Sequence, residues 1–214
     1  MKYDFDKQVN RRGTGSLKWD VPENELPMWV ADMDFETVPQ VKEALAARVA
    51  QGIYGYSILP DEWSRSYVDW WKKRHGLDLD PEKLIFVTGI VPAISSAVRK
   101  LTTPAENVLV QTPTYNIFFN SIYNNGRNIV ENKLLYDGER YRVDWGKLEE
   151  QLSDPQTTLM ILCNPHNPIG KIWDKETLTR VGELCSKYDV TVLSDEIHCD
   201  LTAPGREYVP FASV

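Results

Sequence analysis

The sequence predicts an α/β fold: a mainly parallel sheet covered by helices on both faces, preceded by an extended N-terminal arm. Three observations predict it. From residue 84 onward, short apolar runs alternate with segments of helical periodicity, the pattern of strand–helix–strand units. The run at 158–163, Thr158-Leu159-Met160-Ile161-Leu162-Cys163, is apolar almost throughout, as befits a strand buried on both faces. Residues 1–36, by contrast, have few periodic apolar positions and several Gly, Pro and Asp residues, and read as an arm.

The elements follow in order. Thr37-Val38-Pro39 opens a helix, with Thr37 as its cap and Val41, Leu45, Ala46 and Val49 on one face; Gly52 ends it. Tyr54-Gly55-Tyr56-Ser57 is turn-like. Asp61 caps a second helix that runs to His75 and stops at Gly76. Residues 84–87 form a short strand, and a helix over 92–102 carries Pro92 in its first turn. Residues 107–111 are a strand, 115–124 a helix closing at Gly126, and 128–131 a strand. Tyr136-Asp137-Gly138-Glu139 is a hairpin-like turn. Asp144 caps a short helix to Leu152, and 158–163 is the central strand. Asp174 caps a helix to Tyr188 that turns Leu178, Val181, Leu184 and Cys185 inward, and 190–194 is the next strand. The chain has no internal repeat.

Composition narrows the function classes. A formal charge of −7 argues against nucleic acid as a main partner, because phosphate binding needs clustered Lys and Arg. No apolar run approaches the length of a membrane span, and the first residues lack the apolar core of a signal peptide. Cys163, Cys185 and Cys199 are odd in number and form no C-x-x-C pair; they fit reduced, buried residues of a cytoplasmic protein. The three histidines fall in no zinc spacing, so no metal is expected.

Chemistry concentrates after the central strand. The chain turns abruptly polar at Asn164-Pro165-His166-Asn167-Pro168-Ile169-Gly170. Each asparagine precedes a proline and is pushed toward extended backbone, giving a stiff loop that aims Asn167 out from the strand end. Loops at the carboxyl ends of parallel strands are where α/β folds place ligands. One helix later, Val192-Leu193-Ser194-Asp195-Glu196-Ile197-His198 puts Asp195 at a strand end, where the sheet fixes its carboxylate. Thr88-Gly89-Ile90-Val91-Pro92 leads from a strand into a helix N-terminus, whose N–H groups and dipole suit a phosphate, with Gly89 allowing close approach. Tyr115 follows Gln111-Thr112-Pro113-Thr114 at a helix start, a place where a tyrosine packs into the core.

These motifs resemble the fold-type I pyridoxal-phosphate (PLP) enzymes of the class I/II aminotransferase superfamily. The strings Pro-His-Asn-Pro-Ile-Gly and Ser-Asp-Glu-Ile-His resemble its cystathionine β-lyase branch, carbon–sulfur lyases that include the maltose-regulon modulator type. Arg11-Arg12-Gly13-Thr14, Lys18-Trp19-Asp20 and Ala31-Asp32-Met33-Asp34-Phe35 resemble the same branch. The resemblance implies roles. Asp195 pairs with the pyridinium nitrogen, Asn167 donates to the phenolic oxygen, and Tyr115 stacks on the ring. Gly89, Ile90 and Val91 form the phosphate cup. Tyr56, with Tyr54 as the fallback, reaches a neighbouring subunit's phosphate across a homodimer. His198 lies near the cofactor or is structural, and Ala31 and Asp32 line the substrate pocket.

It also implies a domain plan and a gap. Residues 1–36 are expected to be the arm and the start of a small domain, and 37–214 the PLP-binding large domain, incomplete at its C-terminus. The family's cofactor-bonding lysine lies in a Ser/Thr-x-x-Lys setting some tens of residues after the aspartate strand, and no Ser or Thr stands three places before any Lys here. The chain is therefore expected to be the N-terminal portion of a longer enzyme, inactive alone. The implied reaction is elimination from cystathionine or a related cysteine S-conjugate, yielding a thiol, pyruvate and ammonia. The alternatives are an aminotransferase of the same superfamily and a regulatory protein that keeps the fold without turnover.

Overall fold

The computed structural model describes residues 3–214. By internal contact it forms two units, one ending at Ile58 and one covering Leu59–Val214.

In the first unit the arm is held by one carboxylate. Asp34 accepts from Lys18 Nζ at 2.8 Å, Trp19 Nε1 at 2.7 Å and Arg11 at 2.7 Å, and Arg11 also pairs with Asp32 at 2.6 Å. These donors, Lys18 first, hold the Asp34 pKa far below the ordinary carboxylate range. Helix α1, Pro39–Gln51, follows. Its N-cap is Val38 and no side chain caps it, so Thr37 does not take the role expected of it; Pro39 at N1 already suits the missing donor. Gly52 ends the helix in the left-handed conformation at φ 71°. Val41, Leu45 and Val49 form the expected stripe, but all three are exposed.

The second unit begins with α2, Asp61–His75. Here too the cap differs from expectation: Pro60 is N-cap and Asp61 is the first helical residue, placed to favour the helix dipole rather than to bind an amide. Trp63, Tyr67, Trp71 and His75 recur every four residues and their rings meet in sequence at 6.1, 6.1 and 4.9 Å. The expected strand at 84–87 does not form. Among the described residues nothing pairs with it, and Ile85 is 84% exposed, because an apolar run becomes a strand only where a partner supplies hydrogen bonds.

Four parallel strands follow: β1 Asn107–Thr112, β2 Asn128–Lys133, β5 Thr157–Cys163 and β6 Thr191–Asp195, in the order β2-β1-β5-β6. A hairpin, β3 Leu135–Tyr136 and β4 Tyr141–Arg142, sits apart; its turn is built on Asp137, which accepts the amides of Glu139 and Arg140. Helices α3 Ile90–Leu101 and α4 Ile117–Tyr123 cover one sheet face over Val108, Val110, Leu159 and Ile161. Helices α5 Trp145–Leu152 and α6 Lys175–Lys187 cover the other over Leu109, Met160 and Leu162. Asp144 and Asp174 cap these two helices as their positions suggest, accepting from Lys147 and Thr177 amides. Helix α3 starts two residues earlier than expected, at Ile90, which places Pro92 in its first turn.

One buried cation fixes how α3 lies. Arg127, 8% exposed and immediately before β2, donates to Thr102 Oγ1 at 2.8 Å and Thr102 O at 2.6 Å, and also to the Asn125 carbonyl. The C-terminal end of α3 is thereby tied to the amino edge of the sheet. Its N-terminus therefore lies toward the carboxyl edge. Replacing Arg127 by Met leaves these buried oxygens without donors, and should cost about 2–4 kcal/mol of unfolding free energy. The measurement is urea denaturation: a lower midpoint at unchanged slope is expected, and a midpoint equal to wild type would show that the guanidinium is dispensable.

Candidate active site

The pairing of β5 with β6 brings the two sequence motifs together. Cys163 lies beside Asp195 in the parallel register, and the next amide, Asn164 N, donates to Asp195 O at 2.9 Å. The Asn167 turn and the Asp195 carboxylate thus share the carboxyl edge of the sheet. The turn is compact: His166 N donates to Lys171 O at 2.7 Å, and Gly170 N donates back to His166 O at 2.8 Å, with Gly170 at φ 65°. Asn167 anchors through its backbone, donating to Cys163 Sγ at 3.4 Å, and among the described residues its side-chain amide is unengaged.

Asp195 is 8% exposed. Its Oδ1 accepts one backbone amide, from Ile197 at 3.2 Å, and among the described residues no ion pair reaches it. Burial therefore pushes its pKa up, opposed first by the Ile197 bond and then by His198. A buried carboxylate without a cation is a seat for one. The amides of Ile90 and Val91, at the start of α3, have no carbonyl to meet within their helix and give an anion seat. Gly89 precedes them with extended backbone at φ 172°, a conformation any residue adopts; a Cβ at this position would touch Pro92 at 3.4 Å. Tyr115 lies between β1 and α4, partly exposed, with its ring edge-on to the buried Phe118 at 5.8 Å, so it packs and presents a face at once. Tyr56 and Tyr54 belong to the unit ending at Ile58; Tyr56 is fully exposed, while the Tyr54 hydroxyl donates to Val49 O at 3.0 Å.

Two residues in the motif strings do more than the sequence alone suggests. Asn164, fully buried, donates its side-chain amide to Val209 O at 2.9 Å. Glu196 accepts from Ser194 Oγ at 2.9 Å and from Phe211 N at 2.8 Å. Together they strap residues 209–211 to the strand ends. The signal was their place inside the motifs; their partners lie far along the chain and leave no local trace. His75, Cys199 and Asp200 also come within 4.8 Å of one another. Asp200 is already met by Trp70 Nε1 at 2.9 Å, His75 Nε2 at 3.0 Å and Arg74 at 3.4 Å, so the group is a carboxylate filled by donors that clamps α2 to the turn after β6.

The family model for aminotransferase class I and II matches residues 24–213. The chain belongs to that family. It is 46% identical to cystathionine beta-lyase PatB of Bacillus subtilis, over 98% of this chain and 56% of that protein. It is 32% identical to protein MalY of Escherichia coli, over 99% of this chain and 56% of that protein. Cystalysin from Treponema denticola, whose crystal structure contains pyridoxal 5'-phosphate, superposes with a TM-score of 0.93 at 36% identity, covering 100% of this chain and 56% of that one. A PLP-bound C–S lyase from Staphylococcus hominis superposes with a TM-score of 0.91 at 33% identity, covering 99% and 56%. The chain spans about half the length of the relatives it matches. These likenesses bear out the expected fold and family.

The buried carboxylate has a measurable signature. Its pKa is raised in the folded chain, so the folded chain keeps this proton to higher pH than the unfolded chain does. The group's contribution to stability is thus most favourable below the ordinary carboxylate value and is lost as pH rises through the folded pKa. Asp195→Asn cannot ionise and should be more stable than wild type at neutral pH in urea titrations, with the difference shrinking as the pH falls to about 4. A variant no more stable than wild type at neutral pH would contradict the unpaired charge.

Proposed function

We propose that this chain carries the PLP-binding elements of a carbon–sulfur β-lyase that converts cystathionine, or a related cysteine S-conjugate, to a thiol, pyruvate and ammonia. The observation that carries the reading is the buried Asp195 carboxylate, beside the Asn167 turn and lacking a cation among the described residues. A protonated pyridine nitrogen fits such a seat in charge and in hydrogen-bonding sense. The likeness to PatB supports elimination over amino transfer, since two curated relatives named as aminotransferases stand at 27% and 26% identity.

When bound, PLP supplies the electron sink for breaking bonds at the substrate's Cα and Cβ. The chain's own residues orient it and hold its charges. Asp195 keeps the proton on the ring nitrogen, and the low dielectric around the carboxylate strengthens that pairing. The free amide of Asn167 would donate to the phenolic oxygen, and Tyr115 would offer its exposed face to the ring. The Ile90 and Val91 amides after Gly89 hold the phosphate, aided by the dipole of α3. His198 supports Asp195 electrostatically. Tyr56, fully exposed, serves the phosphate site of a neighbouring subunit in a homodimer. Three free cysteines suit a reducing, cytoplasmic setting.

A complete enzyme containing this chain should release pyruvate from L-cystathionine faster than it exchanges amino groups with a keto acid, and Asp195→Ala should abolish nearly all of that release. Keto-acid-dependent transfer without pyruvate would make it an aminotransferase instead. The chain of 214 residues is itself expected to bind PLP without a covalent bond and to be silent. Lys171, the lysine nearest Asn167 along the chain, lies over the Trp173 ring at 5.1 Å. Borohydride reduction in the presence of PLP, followed by peptide mapping, should find no single stoichiometric pyridoxyl-lysine. One such lysine together with pyruvate release would show that these residues hold a complete site.

A further inference from the structure

His166 stands in the Asn-Pro-His-Asn-Pro string, and the proposed chemistry leaves it without a task. It is 1% exposed. Its Nε2 lies 2.8 Å from Pro113 O, the carbonyl one residue past the end of β1. A carbonyl oxygen only accepts, so Nε2 must carry the proton and donate. The other ring nitrogen, Nδ1, is buried with no hydrogen-bond partner. A second proton there would be an unpartnered buried donor on a buried cation, so the ring is neutral and in one tautomer. Burial lowers the imidazole pKa, in the same direction.

The ring cannot swing away. Trp173 meets it edge-on at 5.7 Å, and Trp173 is itself fixed by donating Nε1 to Cys163 O at 3.0 Å. The backbone of His166 closes both ends of the turn from which Asn167 projects, through Lys171 O and Gly170 N. Its side chain meanwhile crosses to the loop between β1 and α4, two residues before Tyr115.

We propose that His166 is a positioning residue: a neutral imidazole protonated on Nε2 that joins the Asn167 turn to the Tyr115 loop and so sets the spacing between the cofactor's oxygen donor and its stacking face. The identity of the residue follows from the constraints. The link needs a neutral donor with reach and a flat body against Trp173. Lysine or arginine would bury a charge there, asparagine is too short, phenylalanine has no donor, and glutamine keeps the donor but not the flat body. The link itself is read from this chain alone; its bearing on PLP rests on the function proposed above.

The test uses the full chain. In wild type, long-range ¹H–¹⁵N correlation should show a neutral His166 ring with its proton on Nε2; a proton on Nδ1 would overturn the proposal without any variant. Hydrogen exchange should then rise in His166→Phe at both 113–118 and 167–170, and His166→Gln, which keeps a donor, should restore protection at both. Exchange that rises only at 167–170 would show that the loops are not joined. PLP titrated against the same proteins should bind about tenfold more weakly to His166→Phe than to wild type, the scale of one buried hydrogen bond, with rescue by His166→Gln. Equal affinity in wild type and His166→Phe would remove the positioning role. If wild type binds no PLP, the cofactor reading fails, while the tautomer and exchange measurements still decide the link.

Discussion

Everything at the candidate site depends on the parallel register of β5 against β6. Cys163 beside Asp195 is a pairing between residues that are remote in sequence, enforced by backbone hydrogen bonds and by apolar side chains packed on both faces. One step further along, the Asn164 amide reaches the Asp195 carbonyl, so the polar loop begins where the acidic strand ends. A slip of one residue would turn Asp195 to the opposite face and separate it from Asn167. The buried layers above and below the sheet exclude that slip. Each fully buried Leu, Ile or Met at the interface is worth roughly 1.5–3 kcal/mol, and a slipped strand would expose several.

The polar groups behind this edge form a frame. Asn164 and Glu196 hold residues 209–211 across the strand ends, Trp173 closes on the Cys163 carbonyl, and His166 reaches Pro113. None of these side chains needs to touch a ligand. Their effect is to order the segments that carry Asn167, Tyr115 and Asp195, an ordering that would reduce the entropy lost if a ligand bound there.

Features whose cause is local were legible in the sequence. Asp144 and Asp174 cap the helices they precede, Gly52 and Gly76 end theirs in left-handed backbone, and Asp137 with Gly138 makes the hairpin turn. The apolar run at 158–163 is the central strand because nothing but burial on two faces suits it. The failures share the opposite property. Residues 84–87 look like a strand, but pairing is decided by a partner and not by the run itself. The stripe of α1 is correctly spaced, yet spacing does not say what covers it. Thr37 and Asp61 have the chemistry of caps and sit one place off the geometry. At the site, Asp195 and Asn167 stood out because motif strings marked them, whereas the reach of Arg127 to Thr102, or of His166 to Pro113, is a three-dimensional fact with no local signal.

The sheet is not uniformly protected. Strands β1 and β5 have neighbours on both sides and are buried almost throughout, whereas β6 is bonded on one side only among the described residues, with Val192, Leu193 and Ser194 half-buried. Asp195, buried with no ion pair among the described residues, stands at the carboxyl end of that strand. Water that reaches Asp195 favours its ionised form, and ionisation in turn favours any opening that admits water. Proton release and hydration of the carboxylate are thus linked, and a cation seated on Asp195 would break that link by stabilising the ionised form while the site stays closed.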